Sequence, residues 1–146
     1  MGGEQDDIGA QPAEPAASAT DAVRELFERL AAGRLDDSLA LLHPDVVIVI
    51  PPSMSAEPDT YTGLEGAQRY MAGFEGLMDE VRFVPSTIVE EDGRVLVEFT
   101  LAGRGAHSGI EATQHAAGVI WIEDELITRI ESHPDLDTAR SATRGR

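Results

Sequence analysis

Apolar residues recur at helical spacing in the first half of this chain and at strand spacing in the second. In Asp21–Ala32, the residues Val23, Leu26, Phe27 and Leu30 fall on one stripe and predict a helix. Ser18 or Thr20 is placed to cap it, and Gly33 to end it. Asp36–Leu42 predicts a second, short helix with Leu35, Leu39 and Leu42 on one side and Pro44 as its stop. Val46–Ile50 is β-branched throughout and predicts a strand buried on both faces. Pro51-Pro52-Ser53 breaks that strand, and residues 53–60 read as a polar loop. Tyr61-Thr62 predicts a short strand, and Gly63 leads into a third helix running from Leu64 to about Met78.

Past Asp79 the period changes to two. Four strands are predicted: Val81–Glu90, interrupted by Pro85, then Val95–Leu101, Ile110–Glu123 and Leu126–His133. Glu91-Asp92-Gly93 is a hairpin turn and Asp124-Glu125 another, while residues 103–109 form a loop with three glycines. Residues 1–19 are rich in Gly, Ala, Pro, Gln and acid without a period, and they read as a disordered tail. Residues 138–146 carry no apolar stripe and read the same way, which leaves one ordered domain over 20–137. Helices followed by a strand meander predict an α+β domain. Its helices pack on one side of a curved antiparallel sheet and leave a pocket between the layers.

Composition narrows the function classes. The length, 146 residues, suits one domain with one core. No apolar run approaches the roughly 18–20 residues that a membrane helix needs. Residues 1–20 have no basic residue and no apolar stretch, so no secretory signal and a cytoplasmic location are expected. The absence of cysteine excludes disulfide and thiolate chemistry. All 11 basic residues are arginine, and lysine and asparagine are absent, as GC-rich codon usage would produce. A net charge of −16 repels phosphate backbones and anionic lipid, so neither nucleic acid nor a membrane is an expected partner. The four histidines, His43, His107, His115 and His133, lack metal-ligand spacing, so no metal and no cofactor are expected.

Four stretches together resemble the nuclear-transport-factor-2-like superfamily and, within it, the SnoaL-like (polyketide cyclase-related) group. They are AAGRLDDSLALLHPDV, YTGLEGAQRYM, DGRVLVEFTLAGRGAHSG and GVIWIEDELITRIESHPD, and with the opening helix they span about residues 21–137. The resemblance implies a cone-shaped half-barrel of the cystatin-like kind, often dimeric through the convex sheet face. It also implies a pocket used by isomerases, cyclases, epoxide hydrolases, dehydratases and plain binding proteins. A fold shared so widely says little about chemistry by itself.

The polar groups of the better-known members of the superfamily have no counterpart here. Where ketosteroid isomerases hold a tyrosine, a base and a protonated acid, this chain has Leu26, Ile50 and Gly118. Where limonene epoxide hydrolases hold an arginine and two aspartates, it has Phe99, Leu101 and Ser132. The expected pocket lining is therefore mostly apolar: Leu26, Ile48, Ile50, Tyr70, Phe99, Leu101, Gly118 and Ile120. Tyr61, Gln114 and His115 are the candidate catalytic residues. Gln114 and His115 are adjacent on a strand and point to opposite faces, so only one of them enters the pocket, and the sequence leaves open which. His43, at a helix end, suits the helix dipole, and Asp135 caps the chain's exit from the sheet. Trp121 alternates with Gly118, Ile120 and Ile122 and falls on the convex face, where a homodimer partner would cover it. The expectation is a pocket protein for a small, mostly apolar molecule, either a cyclase, isomerase or dehydratase or a noncatalytic dimeric module with a regulatory or stress-related role.

Overall fold

The structure, a computed structural model, describes residues 18–52, 59–74 and 77–144. The expected N-terminal tail lies outside these residues up to position 17, as does the loop at 53–58. Helix α1 spans Ala19–Ala31. Ser18 caps it: the Asp21 N–H donates to Ser18 Oγ at 3.1 Å, and the Ser18 N–H donates to Asp21 Oδ2 at 3.3 Å. Two otherwise orphaned donors are thereby satisfied, in the pattern of a capping box. Val23, Leu26, Phe27 and Leu30 are its buried stripe. Gly33 follows at φ +78°, a left-handed conformation that turns the chain back.

Residues Asp36–Leu41 make a 3-10 helix rather than an α-helix. Strand β1 then spans Leu42–Ile50, four residues longer at its start than the β-branched run alone suggested. Its residues alternate, with Val46, Ile48 and Ile50 buried and Val47 and Val49 half-exposed, so it is not buried on both faces. His43 therefore sits in a strand and not at a helix C-terminus, and its Nδ1 accepts from the Asp45 N–H at 3.0 Å. β2 is Asp59–Thr62 and α2 is Gly63–Ala72, which stops well before Met78. Met78 instead opens β3, Met78–Glu91. Pro85 does not end β3; the ladder to the next strand shifts register between Pro85 and Thr87 and continues. β4 (Arg94–Gly105), β5 (Glu111–Glu123) and β6 (Leu126–His133) complete the sheet. Asp92 and Gly93, at φ 54° and 81°, make the tight β3–β4 turn.

The sheet has six strands in the order β2-β1-β6-β5-β4-β3. The β3–β6 meander is antiparallel, as expected, but β1 lies parallel to β6 at its side. Helices α1 and α2 and the 3-10 helix cover one face, which we call concave, and enclose the main core there.

The tail expected at 138–146 is instead ordered through residue 144. Helix α3, Leu136–Ala142, packs on the opposite, convex face, where Ala139 and Leu136 meet Leu96, Ala117 and Val119. Asp135 caps this helix by accepting from the Thr138 N–H at 2.7 Å. A seven-residue helix is marginal alone, and charge clamps hold it. Arg140 forms a bidentate pair with Glu91 at 2.9 and 2.7 Å. Arg94, only 1% exposed, donates from Nε to Thr143 Oγ1 at 3.0 Å. A short apolar stripe hid this helix from the sequence pattern, because partners distant in sequence stabilise it.

Candidate functional site

Strand register decides what faces the helices. Val95, Val97, Phe99 and Leu101 pair with Ile120, Gly118, Ala116 and Gln114 across β4 and β5. All eight share the concave face, since successive side chains of a strand alternate. Thr100 pairs with His115 and Glu98 with Ala117 on the convex face. His115 therefore lies outside the pocket, a correction to its candidacy as a pocket base. Its Nε2 lies 3.1 Å from Glu98 Oε2, and Glu98 also accepts from Thr87 Oγ1 at 3.4 Å.

The concave interior holds two chambers. The inner one, about 60 Å³, is lined by Leu26, Phe27, Leu30, Leu42, Ile48, Met71, Gly118, Ile120, Ile130 and Ser38. Ser38 is already satisfied, donating from Oγ to the Leu35 carbonyl at 2.6 Å. The outer chamber, about 190 Å³, adds Ile50, Phe74, Leu101, Gln114 and Ala116. Tyr70, Phe83, Phe99 and Ser132 line both chambers and form the waist between them. All eight residues expected to line the pocket lie on one chamber or the other.

The walls contain a feature that the sequence did not announce. All four phenylalanines and both tyrosines form one continuous run of ring contacts. In order, Tyr61–Tyr70–Phe74–Phe83–Phe99–Phe27 stand 5.2, 5.4, 6.0, 5.9 and 5.5 Å apart between centroids. Tilted and edge-on rings at these spacings attract one another and make a rigid wall. Tyr61 is the outermost ring and lines neither chamber; it lies between Tyr70 and the Arg69 guanidinium, 4.5 Å above its face. Of the two tyrosines, Tyr70 and not the expected candidate Tyr61 therefore lines the chambers.

Three polar side chains on the chamber walls make no hydrogen bond among the described residues: the Tyr70 hydroxyl, the Gln114 amide and the Ser132 hydroxyl. Tyr70 and Ser132 stand at the waist, and Gln114 marks the exposed end of the outer chamber. Burial among the rings, with the neighbouring Tyr61, pushes the Tyr70 phenol up to about 12. It is thus a neutral donor at physiological pH. No carboxylate, imidazole or guanidinium lines either chamber among the described residues. The described residues also contain no group of three or more acidic or histidine side chains suited to a metal ion. A larger open cleft of about 580 Å³ lies outside the waist between the end of α1 and the start of β3, and shares only Met71 and Phe74 with the chambers.

The convex face carries Trp121, half-buried beside Val119 and Ala117, with the Arg129 guanidinium 5.9 Å from its ring. No helix among the described residues is long and apolar enough to cross a membrane.

Comparison with known proteins agrees with this architecture. A solved NTF2-like protein of unknown function from Burkholderia pseudomallei K96243 superposes with TM-score 0.69 at 24% identity, over 88% of this chain and 100% of that one. TerC, co-crystallised with polyporic acid, gives TM-score 0.69 at 23% identity over 85% and 97%. A candidate polyketide cyclase from Pseudomonas putida KT2440 gives 0.67 at 20% identity over 84% and 95%. No curated protein sequence matches significantly. The SnoaL-like domain model matches residues 23–130, which contain both chambers apart from Ser132. With that match over most of its length, the chain belongs to the SnoaL-like domain family, and its fold is like that of the NTF2-like structures.

Proposed function

We propose that this protein binds a small, uncharged, mostly apolar metabolite in the two-chamber cavity, with Tyr70, Gln114 and Ser132 as its polar contacts. The carrying observation is that these three groups, unpartnered among the described residues, stand on otherwise apolar walls. Gln114 is exposed and Tyr70 and Ser132 are part-buried, so water reaches these groups in the empty cavity, and a ligand carbonyl or hydroxyl would take its place. An ionised ligand would find no opposite charge among the described residues of the walls. TerC, a similar structure co-crystallised with polyporic acid, and a candidate polyketide cyclase of similar fold support a small-molecule role.

Turnover, in this reading, is of the cyclase, isomerase or dehydratase class. Tyr70 and Gln114 would donate to a carbonyl oxygen and stabilise charge developing on it, while the ring wall holds the reacting atoms together. The lack of a carboxylate or imidazole among the described wall residues favours a second reading, a noncatalytic dimeric module of regulatory or stress-related role. Trp121 and the exposed Val84 bring apolar surface to the convex face and support the homodimer that either reading includes.

A thermal-shift screen of neutral polyketide, terpenoid and steroid fragments tests the pocket. Hits are expected that weaken in Gln114→Ala and Tyr70→Phe and persist in His115→Ala. A screen without a hit, or hits indifferent to the first two substitutions, would refute it.

A further inference from the structure

Gly118 sits in the middle of β5, a position where glycine has no conformational reason to be. Its φ is negative or extended, within reach of any residue. Strand interiors disfavour glycine, which orders more chain on folding and packs nothing. Nor does packing demand it. A Cβ built there would meet Phe99 Cε1 at 3.6 Å and the Glu131 carbonyl oxygen at 3.9 Å, both ordinary contacts. What its bareness leaves is space, and that space is the wall of the inner chamber.

Its place along the strand gives the space a purpose. Ala116, two residues before, lines the outer chamber, and Ile120, two residues after, lines the inner one. Ser132, directly across the ladder on β6, lines both. Gly118 thus lies just inside the waist, beside the Phe99 ring that lines both chambers. The inner chamber is several times the roughly 10–15 Å³ that one water occupies by this measure, and beyond the waist it is walled by Leu26, Leu30, Leu42, Ile48 and Ile120. Such a space is better filled by carbon than by water.

Building on the small-molecule reading above, we propose that Gly118 is the specificity-determining residue of the cavity. Its missing side chain admits the apolar end of a ligand past Ser132 into the inner chamber, while the ligand's carbonyl or hydroxyl stays with Gln114 and Tyr70. The substrate class is an elongated neutral molecule with one polar end and an apolar end of several carbons.

The 4-alkylphenols from 4-methylphenol to 4-hexylphenol, titrated calorimetrically against the full chain, test this. In the wild type, affinity rises about fourfold per methylene until the inner chamber fills. Gly118→Ala should end that rise about one carbon earlier, and Gly118→Val about two, with binding of 4-methylphenol little changed. Gly118→Ala should melt no lower than wild type, since the added methyl restricts the unfolded chain without a clash. Unchanged chain-length profiles in both variants would overturn the proposal, as would a Gly118→Ala protein that melts well below wild type. Failure of every alkylphenol to bind the wild type would overturn the small-molecule reading itself and this inference with it.

Discussion

Tyr70 shows how one side chain acquires a role from its surroundings. Its ring lies between Tyr61 and Phe74, and the residue lines both chambers. Burial raises its pKa to about 12, so the folded protein keeps the proton that the unfolded chain gives up near 10. The stability that this contributes is complete below pH 10 and is lost as pH rises toward 12. Denaturant midpoints measured over that window should fall in the wild type, and fall less in Tyr70→Phe. The same substitution should weaken a cavity ligand about 3- to 10-fold at neutral pH, the loss of one hydrogen bond. His115 illustrates the reverse. Its imidazole is suited to acid–base work, but alternation along β5 sends it to the convex face beside Glu98. Two adjacent residues cannot both enter one pocket from a strand, and nothing local says which does.

Elements that carry their own pattern were legible, and elements held by distant partners were not. The stripe of α1 and its cap are local, so the helix could be read from residues 18–33 alone. The meander was equally plain, because period two and turn residues alternate along it. Helix α3 had no such signal. Its support is the Arg140–Glu91 pair and the Arg94–Thr143 bond, each linking positions 49 residues apart. The Arg140 hydrogen bonds also hold the Glu91 carboxyl below its usual range. That contribution is present at neutral pH and is lost on acidification through the lowered pKa. Thr143→Val keeps the shape but leaves the buried Arg94 Nε without its acceptor. A loss of about 1–3 kcal/mol in urea unfolding is expected, with the cavity and its ligand affinity unchanged.

For the molecule as a whole, the sheet separates two kinds of surface. Its concave face builds the cavity, and its convex face is part covered by α3 and part open around Trp121, Val84 and His115. The expected homodimer would use the open part. Light scattering at micromolar concentration should give twice the chain mass, and Trp121→Ala should shift the distribution toward monomer without loss of ligand binding. A monomeric wild type at that concentration would refute the convex-face assembly.

What the amino-acid order determined by itself was the α+β class, most element positions and the apolar character of the inward face. All of these follow from periodicity, which is a property of neighbouring residues. What only the tertiary structure decided was which groups meet. Strand register set Gln114 inside and His115 outside, the parallel pairing of β1 with β6 brought Ile48 and Ile50 to the chambers, and the layers joined six aromatic rings, from five elements and the turn after α2, into one wall. Those choices are made by hydrogen bonds and contacts between segments far apart in the chain, and the energy that selects them exists only once the chain is folded.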